Sequence, residues 1–291
     1  MNRLAGIVLV ALSAAGFGTL ALFGQYAYAD AMDAVSILFL RFSLSAVVMI
    51  VVLIVRREPL PRGSTLLMLV GMGALGYVGQ SFAYLTALQY ASSGLVALLL
   101  YLYPVFVTLL AAVLLPERLT LVKVIALAIA LIGTALTVDP AGGQILGMLL
   151  AVAGAAIYSV YIIVGTHVLK RVSVVQSSAV IFASAGAASG LLMLLNGPHL
   201  PATNAGWTAI LSIVMIATVL PVAAFLAGLE RVGPTNAAML STLEPVVTVI
   251  LGAAVLHEKL RPVTLIGGGL ILMAVLLLTR SELRRSPTDP Q

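Results

Sequence analysis

Ten apolar stretches follow one another along this chain with little between them. They lie near residues 4–28, 33–55, 64–88, 93–114, 120–138, 143–168, 174–196, 205–229, 235–256 and 262–280. A helix needs about 20 apolar residues to cross the hydrocarbon core of a bilayer. In lipid every backbone N–H and C=O must be bonded inside the segment, so each stretch is expected to be a helix. The sequence is 62% hydrophobic and 9% charged, with mean hydropathy +1.17. A water-soluble domain of this length needs far more polar surface. The junctions carry turn chemistry: Glu58-Pro59-Leu60-Pro61, Asp139-Pro140, Asn196-Gly197-Pro198 and Gly233-Pro234. No junction is long enough for a soluble domain.

The ten stretches form two similar sets of five. Tyr101–Leu119 and Thr242–Leu260 align at an offset of 141, with 7 of 16 positions identical from Pro104 to Leu119. Pro104 falls on Pro245, and Glu117 on Glu258. Leu9–Ala15 aligns at an offset of 140 with Leu149–Ala155. The first stretch therefore completes the first repeat, although Ala27-Tyr28-Ala29 mimics a signal-peptide cleavage site. The expected division is a first five-helix repeat over 1–140, a second over 141–285 and a disordered tail over 286–291. Five is odd, so the second repeat enters the membrane from the opposite side. Inverted repeats of this kind carry a binding site near mid-membrane at the repeat interface.

Lys and Arg set the orientation. With the N-terminus inside, the inner segments hold 12 of the 15 basic residues and the outer loops hold only Lys259 and Arg261. That bias places both termini in the cytoplasm. The net charge of +5 belongs to those inner loops and gives no reason to expect nucleic acid as a partner.

Ten helices in two five-helix halves, with Pro and Glu-Arg/Lys-Leu closing the fourth and ninth, resemble the drug/metabolite transporter superfamily. Within it the pattern is similar to the two-domain EamA-type exporters. The resemblance implies a multi-pass protein of the bacterial inner membrane that exports amino acids or other small metabolites. It also implies a central cavity between the halves.

Glu244 is the most informative single residue, because a carboxylate at mid-helix costs about 2.5–3.5 kcal/mol on the insertion scale. Its counterpart in the first repeat is Tyr103. Glu244 is a candidate for binding a substrate amine or a coupling proton, or else a buried structural partner. Arg41 lies about 12 Å from the outer end of its helix and Glu244 about 18 Å from the same side. Arg41 can meet a substrate carboxylate, pair with Glu244 or reach the outer headgroups. Tyr77, Gln80 and Tyr84 fall within about 60° of one another on the third helix and form a polar-aromatic stripe. Their counterparts are Thr218, Pro221 and Phe225. Tyr101 and Tyr103 lie about 200° apart, so both face one space only if Pro104 distorts the turn. Tyr158 and Tyr161 stand where the first helix has Gly18 and Ala21. These tyrosines, with Gln80, Glu244 and Arg41, make up the expected cavity lining, which suits aromatic or apolar amino acids and organic cations. Pro104, Pro221 and Pro245 are the expected hinges. Gly71, Gly73, Gly76, Gly79, Gly186, Gly190 and Gly267–Gly269 are expected at close helix contacts.

Catalytic patterns are missing. Cysteine is absent. His257-Glu258 begins a zinc motif, but Arg261 stands where the second His is needed. No P-loop motif is present. The expectation is a secondary transporter, not an enzyme, that exports amino acids by alternating access. The alternatives are an exporter of organic cations or drugs, or a facilitative channel-like permease. The expected partners are a small-molecule substrate and membrane lipid, with proton coupling and a uniport both open, and with no metal and no cofactor, in a monomer or homodimer.

Overall fold

The computed structural model describes residues 3–87, 89–91, 93–115, 119–137, 144–255 and 262–284. Among them nine helices are long and apolar enough to cross a membrane: α1 (Arg3–Ala29), α2 (Ala34–Val55), α3 (Gly63–Tyr84), α4 (Leu95–Leu114), α6 (Ile145–Val168), α7 (Val174–Asn196), α8 (Asn204–Val232), α9 (Pro234–Val255) and α10 (Pro262–Ser281). A tenth apolar helix, α5 (Leu121–Leu136), is shorter. The described residues contain no β-strand. The turns expected at Glu117, at Asp139-Pro140 and at Glu258 lie outside the described residues, as does the 286–291 tail.

The helix ends follow their sequence signals. Asp33 caps α2 by accepting from the Ser36 N–H at 2.9 Å. Ser173 and Gln176 form a reciprocal capping box at the start of α7. Gly197 and Gly233 close α7 and α8 with φ of 87° and 81°, a conformation that a Cβ disfavours. A proline follows each and cannot continue the helix. Large apolar side chains such as Val113 and Leu194, 82% and 77% exposed, point to the surface that lipid covers.

Packing crosses between the repeats. α2 packs on α7 and α5 on α10, so these two pairs each join equivalent helices. α1 leaves its own repeat to pack on α8 and α9, and α6 does the reciprocal with α3 and α4. Two equivalent bundles result, α3–α4–α6 and α8–α9–α1, flanked by the two like-with-like pairs. Glycines allow the close approaches. A Cβ on Gly186 would stand 2.9 Å from Ser43 Oγ, and one on Gly133 2.7 Å from the Gly267 carbonyl. Gly73, Gly76 and Gly190 also face tight contacts, with Gly79 at ordinary van der Waals distance. Gly71, Gly268 and Gly269 differ from expectation: their Cβ positions face open space.

Candidate functional site

Both members of the α4/α9 pair break at the repeated proline. α9 is helical over Pro234–Leu240, tightens to a 3₁₀ turn over Ser241–Leu243, and resumes at Glu244. α4 stops at Leu100 and resumes at Tyr103. Pro104 and Pro245 thus sit in the first turn of a new segment, where a missing N–H costs nothing. Glu244 opens its segment, where a carboxylate favours the helix N-terminus. The break also turns Tyr101 and Tyr103 toward one space, their ring centroids 6.4 Å apart.

α3 and α8 carry a matching irregularity. Met72–Tyr77 and Met215–Val219 are π-helical. The two widened turns include Tyr77 and Thr218, which are equivalent at the offset of 141. Thr218 Oγ1 donates to the Ile213 carbonyl five residues back, at 2.8 Å.

Between the two bundles lies a cavity of about 600 Å³. Arg41, Tyr77, Gln80, Tyr84, Tyr101, Tyr103, Tyr158 and Glu244 all border it, as do Pro245, Thr248, Gln25 and Tyr28. Pro104 and Pro221 are not among its lining residues. Tyr161 is not among the lining residues: it stands behind them, 3% exposed, stacked on Tyr158 at 5.7 Å and edge-on to Tyr77 at 5.7 Å. The spacing rightly puts Tyr158 and Tyr161 on one face of α6, but Tyr161 is one turn deeper and reaches the second layer.

The floor is a continuous run of rings. Phe182 stacks on Phe42, Phe42 meets Tyr77 edge-on at 5.0 Å, and Tyr77 meets Tyr161. Tyr161 stacks on Tyr158, and Tyr158 meets Tyr103 edge-on at 4.9 Å. Edge-to-face geometry suits the ring quadrupole. Phe42 and Phe182 were not legible as site residues; the only signal was that Phe42 follows Arg41.

Arg41 lies in this floor, 5% exposed. Its Nε donates to Thr218 Oγ1 at 2.7 Å, and its Nη2 donates to the Ala217 carbonyl at 3.4 Å and to the Tyr77 hydroxyl at 3.5 Å. The guanidinium also sits over the Phe42 and Tyr77 rings, 5.1 and 5.7 Å from their centroids. Among the described residues no ion pair joins Arg41 to Glu244, and Arg41 does not reach the outer headgroups; its partners are neutral acceptors.

With both termini on the cytoplasmic side, as the basic residues predict, the cavity lies in the outer half of the membrane. Its borders run from the floor to Tyr28 and Ala34 at the outer ends of α1 and α2. Below the floor the bundles are in contact. Tyr103 donates its hydroxyl to the Ala238 carbonyl at 3.4 Å, and a Cβ on Gly165 of α6 would meet Leu229 of α8 at 3.4 Å. On the orientation that the basic residues predict, the cavity opens toward the outer side.

Two clasps tie loops at opposite faces. At the outer face Asp30 accepts from the Ala202 and Thr203 N–H groups at 2.8 and 3.2 Å. The Thr203 side chain and these backbone donors hold the Asp30 carboxyl below its ordinary range, against the opposing effect of burial. At the inner face Ser173 donates to Glu58, and Gln176 Nε2 donates to the Pro59 carbonyl at 2.6 Å. No group of His, Cys, Asp or Glu among the described residues is arranged to hold a metal ion.

Comparison with known proteins gives the same architecture. An uncharacterized transporter of Bacillus subtilis (strain 168) is 22% identical over 303 residues, covering 98% of this chain and 95% of its own. An uncharacterized transporter of Synechocystis sp. is 25% identical over 224 residues, covering 74% of this chain and 67% of its own. A solved crystal structure superposes with a TM-score of 0.83 at 24% identity, over 95% of this chain and 97% of the other, which establishes the shared fold. The EamA-like transporter family model matches twice, over residues 4–139 and 145–280, once for each five-helix repeat. The chain is a multi-pass membrane transporter and belongs to the EamA-like transporter family.

Proposed function

We propose that this protein exports amino acids with aromatic or apolar side chains across the bacterial inner membrane, by alternating access. The observation that carries the reading is a lone carboxylate, Glu244, facing a tyrosine floor across about 600 Å³. That volume is in the range of small-molecule sites, about 300–1,000 Å³. Glu244 receives the substrate ammonium, and the rings of Tyr77, Tyr103 and Tyr158 receive the apolar side chain. The third guanidinium nitrogen of Arg41, Nη1, is left for the substrate carboxylate, because the hydrogen bonds to protein use Nε and Nη2. The two bundles rock between the α2–α7 and α5–α10 pairs, with Pro104, Pro221 and Pro245 as bending points. Glu244 is also the group that carries a coupling proton, if one is coupled. The neutral partners already held by Arg41 favour one second reading, an organic cation held by Glu244 and the rings.

Flux of labelled phenylalanine into liposomes holding only this protein, with and without a pH gradient, tests the proposal. Saturable flux is the expected result. Dependence on the gradient assigns proton coupling, and indifference assigns facilitated transport. Absence of phenylalanine flux beside saturable flux of a quaternary ammonium compound would overturn the amino-acid reading in favour of the cation. Absence of both would overturn both.

A further inference from the structure

Arg41 belongs to α2, yet it bonds to both moving bundles. On one side it reaches Tyr77, the last residue of the π-helical turn in α3. On the other it reaches Thr218 and Ala217 in the π-helical turn of α8. Tyr77 and Thr218 are equivalent residues of the two repeats. A single side chain therefore pins the same point of both bundles, at the level where the cavity ends and the closed inner half begins.

Two physical points make this joint releasable. A π-helical turn interrupts the i→i−4 ladder and often marks a functional site, so a carbonyl such as that of Ala217 can turn to an outside donor. The guanidinium has neutral partners and no carboxylate within ion-pair distance among the described residues. A buried guanidinium still needs partners, because leaving it unbonded is costly. Its bond to Thr218 is short, 2.7 Å, whereas that to Tyr77 is 3.5 Å. When the bundles part, the weaker link gives first.

We propose that Arg41 is the latch of the inner gate. It holds the π-helical turns of α3 and α8 together in the outward-facing state, and the inner half opens when Arg41 lets go of Tyr77 while staying on Thr218. This makes Arg41 a positioning residue for the conformational step. The proposal rests on alternating access but on no choice of substrate. Its assay needs no substrate, so its failure and a failure of amino-acid transport are separate outcomes.

The chain has no cysteine, so single reporter cysteines can be labelled without background. Ala238→Cys reports the inner gate, where residue 238 is fully buried. Ser81→Cys reports the outer cavity, which Ser81 borders. Each is labelled with a membrane-impermeant maleimide from its own side, in the native protein and in Arg41→Gln. Losing charged hydrogen bonds at the latch is expected to speed inner labelling roughly 10-fold and to slow outer labelling. Arg41→Lys, which keeps the charge but not the fork, is expected to fall between the two, as is Thr218→Val. Opposite movement of the two reporters marks a shift of population. Unchanged inner labelling in Arg41→Gln, or a rise at both reporters as in general loosening, overturns the latch.

Discussion

The two bundles that face each other across the cavity descend from the same five-helix pattern, yet one brings five tyrosines to it, whereas the other brings Phe17, Tyr28 and the Glu244 carboxylate. α3, α4 and α6 bring Tyr77, Tyr84, Tyr101, Tyr103 and Tyr158 to the cavity. The equivalent places on α8, α9 and α1 hold Thr218, Phe225, Thr242, Glu244 and Gly18. One cause is visible in the backbone. A Cβ on Gly18 would stand 2.8 Å from Val247 Cβ and 3.0 Å from the Glu244 carbonyl. α1 lies so close to α9 that no side chain fits where α6 carries Tyr158. The Thr248 hydroxyl bridges the same seam, donating to the Gly18 and Glu244 carbonyls at 3.2 Å each. Duplication thus leaves the path of the backbone nearly symmetric, while the chemistry of the cavity is not: five tyrosines on one bundle and a single carboxylate on the other.

Removing the charge of Glu244 and the hydroxyl of its counterpart Tyr103 is therefore expected to have unequal consequences. Glu244→Gln keeps the shape and removes the charge. A hydrogen bond to a charged group contributes about 1.5–3 kcal/mol, so transport of an amine-bearing substrate is expected to fall about 10- to 100-fold, with membrane insertion intact. Tyr103→Phe removes only the hydroxyl that reaches Ala238 at 3.4 Å, and should leave flux within about 5-fold of native by the net value of a neutral hydrogen bond. Equal losses in the two variants, measured in the same liposomes, would mean that the cavity is not polarised.

The aromatic side can be tested for layering. Tyr158→Ala removes a ring bordering the cavity and opens the floor between Tyr103 and Tyr161. Aromatic pairs contribute about 0.5–1.5 kcal/mol each beyond burial, so preference for phenylalanine over alanine is expected to drop by about 10-fold. Tyr161→Phe keeps its ring contacts from the second layer and should leave that preference unchanged. Competition of the two amino acids for labelled flux measures both. A larger specificity change in Tyr161→Phe than in Tyr158→Ala would invert the layering.

Some of this arrangement was legible beforehand and some was not, for physical reasons. The prolines at 104 and 245 announced the broken helices, because a proline forbids one backbone bond wherever it stands. The stripe of Tyr77, Gln80 and Tyr84 followed from helical spacing, which three residues suffice to define. Depth was not legible. Tyr158 and Tyr161 share a helix face, and only the neighbouring helices decide which one meets the cavity. The partners of Arg41 were equally hidden. Thr218 is 177 residues away along the chain and looks like an ordinary membrane threonine until α8 is seen to widen there. The crossing of α1 and α6 to the opposite repeat was hidden too, because a repeat alignment says which segments match and not which segments touch.

The repeat relation extends to the clasps, and there the smallest effects are expected. The α1–α2 turn holds the loop between α7 and α8 through Asp30, at the outer face. Its equivalent, the α6–α7 turn, holds the loop between α2 and α3 through Ser173 and Gln176, at the inner face. Ser173 also caps α7, so Ser173→Ala should cost about 1 kcal/mol as a lost N-cap and lower the thermal midpoint by a few degrees. Asp30 is half-buried and an Asn there keeps an acceptor oxygen for the same N–H donors, so Asp30→Asn should lower it less. The Asp30 carboxyl is held below its ordinary range, so its contribution is complete above that range and disappears as the pH falls through the depressed value. Amide exchange at Ala202 and Thr203, corrected for intrinsic rate, should therefore quicken in acid in the native protein, and Asp30→Asn should remove that acid-dependent change. An acid response that survives in Asp30→Asn would assign the sensitivity to another group, and the Asp30 carboxylate would then hold the outer clasp without tuning it.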